Sequence, residues 1–212
     1  MSSGTESSRK SWQMWLPSTV DWSRGAFFSW ARTGWQYRRR ILLYTAVNVL
    51  LTVGNEAISR TIAVSLWHEP ESYGFWIPRV DGGHSLNRQS AINIWMTFFA
   101  STVGGPIFFF QNVRSRYLAF LLFGACNTFV SQVMVYCTLG AGFAGMSMVD
   151  PLRLLFDVAY MGSVKYGMFE LFRRPILKSR NNAARIGIFR IGQDFLSTFL
   201  RVSMLNLFGF KG

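Results

Sequence analysis

The sequence predicts an all-α, polytopic membrane helical bundle with four spans and an amphipathic or spanning C-terminal helix. Half of the 212 residues are hydrophobic, 17% are aromatic and only 15% are charged, which is too apolar for a soluble domain of this size. The apolar residues form runs of the length that a bilayer requires. Lys and Arg are concentrated in alternate connections between those runs, which is typical of a chain that crosses a membrane repeatedly.

The chain divides into a basic, Trp-rich N-terminal segment, residues 1–40, and a membrane helical bundle domain, residues 41–212. The N-terminal segment is rich in Ser, Arg and Trp and poor in acidic residues, a composition that resembles mitochondrial targeting segments. Its tryptophans suit an interfacial position, because indole favours the headgroup layer. We therefore expect a mitochondrial membrane protein whose N-terminal segment lies at the bilayer surface.

Three long apolar runs follow, at residues 41–66, 91–110 and 117–149, and the last of them has no charged side chain. Each run reaches the length of about 20 residues that one span needs. A fourth candidate span covers residues 152–172. Charged residues interrupt it at four positions: Arg153, Asp157, Lys165 and Glu170.

The last apolar stretch, within residues 183–208, is different because its polar residues follow a helical rhythm. Arg190, Asp194, Ser197 and Arg201 are spaced by four, three and four residues, which places them on one side of a helix. The pattern predicts an amphipathic helix. Such a helix either closes a bundle with the polar stripe inward or lies along the headgroups with the stripe outward.

The connections between the runs give the orientation. With four spans, residues 1–40, 111–117 and 173–182 lie on one side and hold thirteen Lys and Arg residues, whereas the opposite connections, 67–90 and 141–151, hold two. This split predicts that both ends of the four-span core face the positive side. Residues predicted to contact lipid headgroups or to orient the chain are Arg38, Arg39, Arg40, Arg114, Arg116, Arg173 and Arg174.

The same split accounts for the formal net charge of +12 without a nucleic-acid partner, since the basic residues act as orientation signals and phospholipid contacts. The expected partners are membrane lipids and other subunits of a membrane complex. The expected bound molecules are phospholipids such as cardiolipin, and no cofactor is predicted.

Two features stand out inside the apolar runs. Glu56 and Arg60 lie one turn apart, with the acid first, which is the favourable order for a helical ion pair. We expect an intramembrane charge pair, which is either an internal helix pair near the membrane edge or a pair that lines a pore or contacts a partner. Gly104, Gly105 and Pro106 predict a helix kink, because proline cannot donate a backbone hydrogen bond and its ring clashes with the preceding turn.

Candidate catalytic and metal sites are scarce in the sequence. His68 and His84 share a loop with acidic residues, but their spacing matches no metal motif, so the loop is interpreted as polar rather than as a metal site. The sequence has no nucleophile and base in a recognisable arrangement. We therefore expect a protein that is not an enzyme, with no metal.

The stretch "TAVNVLLTVGNEAISR" at residues 45–60 resembles the first helix of the Mpv-seventeen family of peroxisomal and mitochondrial inner-membrane proteins, which have four spans. Gly105 and Pro106 in "STVGGPIFFF", Gln132, and Pro175 with Arg180 in "RRPILKSR" stand where later family motifs have the same residues. The resemblance implies a four-span bundle with channel activity in the mitochondrial inner membrane or the peroxisomal membrane.

Two functions are expected from the sequence. The first is a non-catalytic accessory subunit of a mitochondrial inner-membrane complex, such as a respiratory-chain complex or ATP synthase. The second, implied by the family resemblance, is a free-standing channel or metabolite-conducting membrane protein.

Overall fold

The chain is mostly helical over the residues that the computed structural model describes, 19–139 and 151–207. The helices are α1 (Thr19–Gln36), α2 (Arg38–Leu66), α3 (Arg88–Gly104), α4 (Val113–Leu139), α5 (Pro151–Tyr160), α6 (Tyr166–Lys178) and α7 (Ala183–Leu207). Residues 1–18, most of the glycine-rich stretch after α4 and the last five residues lie outside the described part.

The connection between α2 and α3 contains the strands of the described chain. A 3-10 turn (Glu71–Tyr73) precedes the short antiparallel strands β1 (Trp76–Pro78) and β2 (His84–Leu86), with Ile77 opposite Ser85. The hairpin tip holds Gly82 at a φ of 79°, a conformation that glycine adopts without steric cost. The fold is therefore helical with one small hairpin rather than purely α.

Within the described residues, three helical stretches are long and apolar enough to cross a membrane: Arg38–Leu66, Arg88–Phe109 and Val113–Met134. They overlap the first three predicted runs, and residues 140–149 of the third run lie outside the described part. The predicted fourth span is also helical, but it consists of α5, a π-helical segment (Met161–Lys165) and α6 in succession. The charged residues of this stretch lower its mean hydropathy, so its composition alone does not identify it as a membrane span.

The α-helical part of α3 ends at Gly104, and a 3-10 helix (Gly105–Phe109) continues the chain. Proline at the second position of this segment has no N–H to donate to a preceding turn. A Cβ atom on Gly105 would lie 2.7 Å from Ile41 Cγ2, and one on Gly104 would lie 2.9 Å from Phe123 Cε1. The change of helix type falls on the three residues for which the sequence predicts a kink; the bend angle itself stays a prediction.

The helices pack mainly as antiparallel neighbours. Helix α3 runs antiparallel to α2. Helices α5 and α6 run antiparallel to α4: Arg116 near the start of α4 pairs with Glu170 of α6, whereas Gly124, further along α4, lies close to Met161 before α6. Helix α7 then runs back along α6 and α5 and also contacts α2. A cluster of Ile107, Phe108, Phe169 and Ile176 forms the apolar core at the end where the 3-10 helix meets α6.

The bundle has many large apolar side chains on its outer surface and a mixture of polar and apolar side chains inside. Large exposed hydrophobic side chains lie on all the long helices, among them Leu42, Leu50, Ile58, Trp95, Phe98, Leu122, Phe129, Leu155, Ile188, Phe195 and Phe199. Buried polar side chains include Thr45, Asn48, Ser90, Ser101, Gln193 and Ser197. This distribution differs from that of a typical soluble domain, in which large apolar side chains are mostly buried and polar ones mostly exposed.

Candidate functional site

A ladder of side-chain hydrogen bonds joins α2 to α3 through the interior. Three pairs form it: Thr45 with Thr102 (3.5 Å between Oγ1 atoms), Asn48 Nδ2 with Ser101 Oγ (2.8 Å), and Thr52 with Thr97 (3.2 Å between Oγ1 atoms). On α2 these residues are three and four positions apart, so they share one helix face. We call these six residues, together with Glu56, Ser90 and Asn93, the polar seam.

Glu56 is the most heavily bonded member of the polar seam. Its carboxylate accepts hydrogen bonds from Arg60 Nε at 2.9 Å, Ser90 Oγ at 2.8 Å and Asn93 Nδ2 at 2.6 Å. The structure thus brings together the two residues of the predicted charge pair, and it adds two donors from α3. A carboxylate that accepts three such bonds can stay charged away from water.

Arg60 lies where the polar seam meets the hairpin connection. Its Nη1 donates to the Tyr73 carbonyl at 3.0 Å, and the side chains of Arg60 and Glu56 are 17% and 13% exposed. Glu56 lies 16 residues beyond Arg40, which corresponds to about 24 Å along the helix. The pair is therefore near the end of α2 that meets the hairpin connection, away from Arg40.

Helix α7 joins the polar seam through Arg190. Its Nε donates to Asn48 Oδ1 at 2.8 Å, and its Nη1 lies 3.0 Å from Asp194 Oδ1. Asn48 therefore bridges α3 and α7, because its amide donates to Ser101 and its carbonyl accepts from Arg190. Of the two orientations left open for the polar stripe, the structure shows the inward one at this residue.

The rest of the stripe meets α5. Tyr160 Oη donates to the Ser197 carbonyl at 2.5 Å, and Arg201 Nη2 lies 2.8 Å from Asp157 Oδ1. Lys165, in the π-helical segment, is half-buried and interacts electrostatically with Arg190, Asp194, Arg201 and Asp157. A π-helical segment often marks a functional position in a helix.

Asp194 is an exception within the stripe because its side chain is 57% exposed. Its neighbours on the same outer face, Ile191 and Phe195, are 55% and 72% exposed. A carboxylate is thus presented beside large exposed apolar side chains.

Three of the arginines predicted at the lipid headgroups instead bond to other elements of the bundle, and Arg38 donates to the nearby Trp35 carbonyl at 3.0 Å. Arg116 makes a two-point ion pair with Glu170 (2.6 and 3.2 Å) and donates to the carbonyls of Phe110 and Gln111, both at 2.7 Å. Arg173 donates to the Phe108 carbonyl at 2.6 Å, and Arg40 donates to the Leu177 carbonyl. Helix ends leave carbonyls without intrahelical partners, and these guanidinium groups satisfy them.

The other predicted headgroup residues are exposed at the same end of the bundle: Arg38, Arg39, Arg114 and Arg174. We call the basic residues at this end the basic cluster; its members are Arg38, Arg39, Arg40, Arg114, Arg116, Arg173, Arg174, Lys178 and Arg180. It collects residues from α2, α4 and α6, as the predicted positive side requires. His68 and His84 lie in the connection at the opposite end, where His68 is exposed and His84 pairs with Pro78 in the hairpin.

The sequence does not indicate most of the polar seam. Thr45, Asn48, Thr52, Thr97 and Ser101 are single small polar residues in apolar runs, and the signal that could have found them is their spacing of three to four residues on both α2 and α3. Comparison with known proteins finds no matching family model, no matching curated protein and no matching solved structure. The chemistry of the site therefore has to be argued from these contacts alone.

Proposed function

We propose that the protein spans a membrane with the α5–α6 stretch and α7 as well as with its three most apolar helices. Helix α4 and the α5–α6 stretch pack side by side, with Arg116 paired to Glu170 at one end. The α5–α6 stretch is about 40 Å long at 1.5 Å per residue, more than the hydrocarbon core of about 30 Å. Its Glu170 and Asp157 are paired with arginines, which lowers the cost of placing them in hydrocarbon.

The apolar outer surface of α7 supports the same assignment. Its exposed large hydrophobic residues are Ile188, Ile191, Phe195, Phe199, Val202 and Leu207. A helix at the headgroup layer would bury this face in lipid and turn its polar face to water, whereas here the polar face contacts α2 and α5. The packing favours a membrane-crossing C-terminal helix.

Within this architecture, we propose that the protein is a non-catalytic accessory subunit of a mitochondrial inner-membrane complex. The observation that carries the proposal is Asp194. Asp194 is paired with Arg190 at 3.0 Å, but 57% of its side chain is exposed. A charged group that is exposed to hydrocarbon is costly, so this face is better suited to contact another subunit than lipid. The polar seam, whose groups bond directly to one another, serves to hold the helices together.

The proposed location depends on the sequence. The N-terminal segment has the Ser, Arg and Trp content of mitochondrial targeting segments, and the basic cluster gives the orientation. The peroxisomal membrane is the alternative location, which the family resemblance implies.

The proposal is tested by purifying the tagged full chain from native membranes in a mild detergent. We expect it to migrate on a native gel with a large complex. The Asp194→Asn variant should recover less of the associated subunits, and Asp81→Asn, which changes an exposed carboxylate of the hairpin, should recover them normally. A chain that migrates as a small homo-oligomer would contradict the subunit role, and normal recovery with Asp194→Asn would contradict the role of this face.

One observation favours the second candidate, a channel or metabolite-conducting protein. The polar seam carries hydroxyl, amide and charged groups along the interior for about 16 Å, from Thr45 to Glu56, and would line a path if α2 and α3 separated. Flux of small solutes through liposomes containing the purified chain tests this function. Asn48→Leu should abolish such flux, and Asn55→Leu on the outer face should not.

A further inference from the structure

At the basic end of the bundle, α2, the 3-10 helix, α6 and the start of α7 enclose a cleft. The cleft is partly open to the surroundings. Its apolar wall consists of Ile41, Tyr44, Phe108, Phe109, Ile176, Leu177 and Ile186. Two cationic side chains, Arg40 and Arg180, also line it.

Arg40 is held in place at this cleft. Its Nη2 donates to the Leu177 carbonyl, and its guanidinium carbon lies 5.3 Å from the centre of the Phe109 ring. These contacts occupy one edge and one face of a group that has five N–H donors. The remaining donors are fixed in direction, which reduces the entropy cost of binding an anion.

Arg180 supplies a second cation from the turn between α6 and α7. Its backbone has a φ of 48°, a left-handed conformation uncommon for a residue with a side chain. The residue is exposed, so its guanidinium is accessible to a molecule that approaches the cleft. Two cations above an apolar wall match a ligand with an anionic head and a hydrocarbon tail.

We propose that this cleft binds one anionic phospholipid, with its phosphate between Arg40 and Arg180 and an acyl chain against the half-buried side chains of Tyr44, Phe109 and Leu177. The cleft is at the end of the bundle that the basic cluster assigns to the headgroup layer, where such a lipid is present in the bilayer. The inference goes beyond the proposed function, because it requires only that the chain is in a membrane and holds for a subunit or a channel.

The test uses the full chain in detergent, titrated with phosphatidylglycerol or with phosphatidylcholine while bound lipid is counted by native mass spectrometry. We expect wild type to retain phosphatidylglycerol in preference to phosphatidylcholine. Arg180→Gln should weaken phosphatidylglycerol binding about fivefold, which corresponds to about 1 kcal/mol for one basic residue near the headgroups. Arg174→Gln removes an exposed charge at the same end but outside the cleft, and should leave binding unchanged.

Several outcomes would overturn the proposal. Equal losses with Arg180→Gln and Arg174→Gln would mean that binding follows overall charge and not the cleft. Equal retention of phosphatidylcholine would mean that the anionic head is not recognised. Displacement of phosphatidylglycerol by inorganic phosphate alone would identify a phosphate site without an acyl chain. Among the described residues, no hydrogen bond or ion pair involves the Arg180 side chain, so its replacement is expected to leave the fold intact. Unfolding temperatures of both variants verify that they are folded.

Discussion

At the scale of single residues, Glu56 determines how α2 is joined to α3 near the hairpin. The sequence predicts its pairing with Arg60, but Ser90 and Asn93 also donate to it. Glu56 and Arg60 therefore contribute unequally to this contact. Without Arg60, Glu56 keeps two hydrogen bonds, whereas without Glu56 the guanidinium keeps the Tyr73 carbonyl and two donors of α3 lose their acceptor.

We expect Glu56→Leu to lower the free energy of unfolding by about 3 to 5 kcal/mol, the range for breaking one side of a buried ion pair. Arg60→Leu should cost less, and the double variant should cost less than Glu56→Leu alone. Tryptophan fluorescence during unfolding by sodium dodecyl sulfate measures these differences. Asn55→Leu, an exposed change on the neighbouring position, is the control. A larger loss with Arg60→Leu than with Glu56→Leu would show that the guanidinium, and not the carboxylate, organises this contact.

At the scale of elements, the connection from α3 to α4 depends on close packing of the 3-10 helix against α2. The 3-10 helix packs against α2 at Ile41. Arg173 donates to the Phe108 carbonyl within it, and Arg116 and Arg173 both donate to the Phe110 carbonyl directly after it. A short segment without full α-helical bonding is thus fixed by two arginines from other helices. This arrangement explains why these two residues are buried or half-buried and not extended toward headgroups.

Gly105→Ala should lower the free energy of unfolding by about 1 to 3 kcal/mol, the usual cost of overpacking, because the new methyl group would lie 2.7 Å from Ile41 Cγ2. Gly54→Ala is the matched control. A Cβ atom there meets nothing within 4 Å, and alanine in place of a mid-helix glycine stabilises by about 0.5 to 1 kcal/mol. Equal behaviour of both variants in the same unfolding assay would show that the 3-10 helix is not tightly packed on α2.

The sequence predicts the elements better than their contacts. The runs at 41–66 and 91–110 agree with α2 and with α3 plus the 3-10 helix to within three residues, because long apolar composition is a local property. The bond from Arg190 to Asn48 joins residues 142 positions apart, and no local pattern specifies which helices are neighbours. The π-helical segment also has no sequence signal that we recognise.

At the scale of the whole molecule, the apolar outer surface and the position of the basic cluster at one end both fit the proposed membrane-crossing bundle. Arg40, Arg116 and Arg173 come from three helices and meet at one end, and the acidic hairpin connection is at the other end of α2. This arrangement requires an even number of crossings between Arg39 and Lys178. It thus supports the four-span core as a proposal for the topology.

Cysteine labelling from each side of sealed vesicles tests this topology. In a background with Cys126 and Cys137, both exposed, replaced by Ser, we expect cysteines at positions 39 and 178 to react from one side and a cysteine at position 71 from the other. The reason is that α2 separates 39 from 71, and four crossings return the chain by 178. Labelling of 39 and 178 from opposite sides would mean that the α5–α6 stretch does not cross.

The bond between Asn48 and Arg190 also has a consequence for the order of events during synthesis. A ribosome makes Asn48 first and reaches Arg190 142 positions later. Until then the Asn48 carbonyl has no guanidinium to accept from, and the bundle is open on the side that α7 will occupy. Completion of the bundle therefore waits for the last helix to leave the ribosome. A nascent chain truncated before Arg190 presents that open side to the factors that assist membrane insertion.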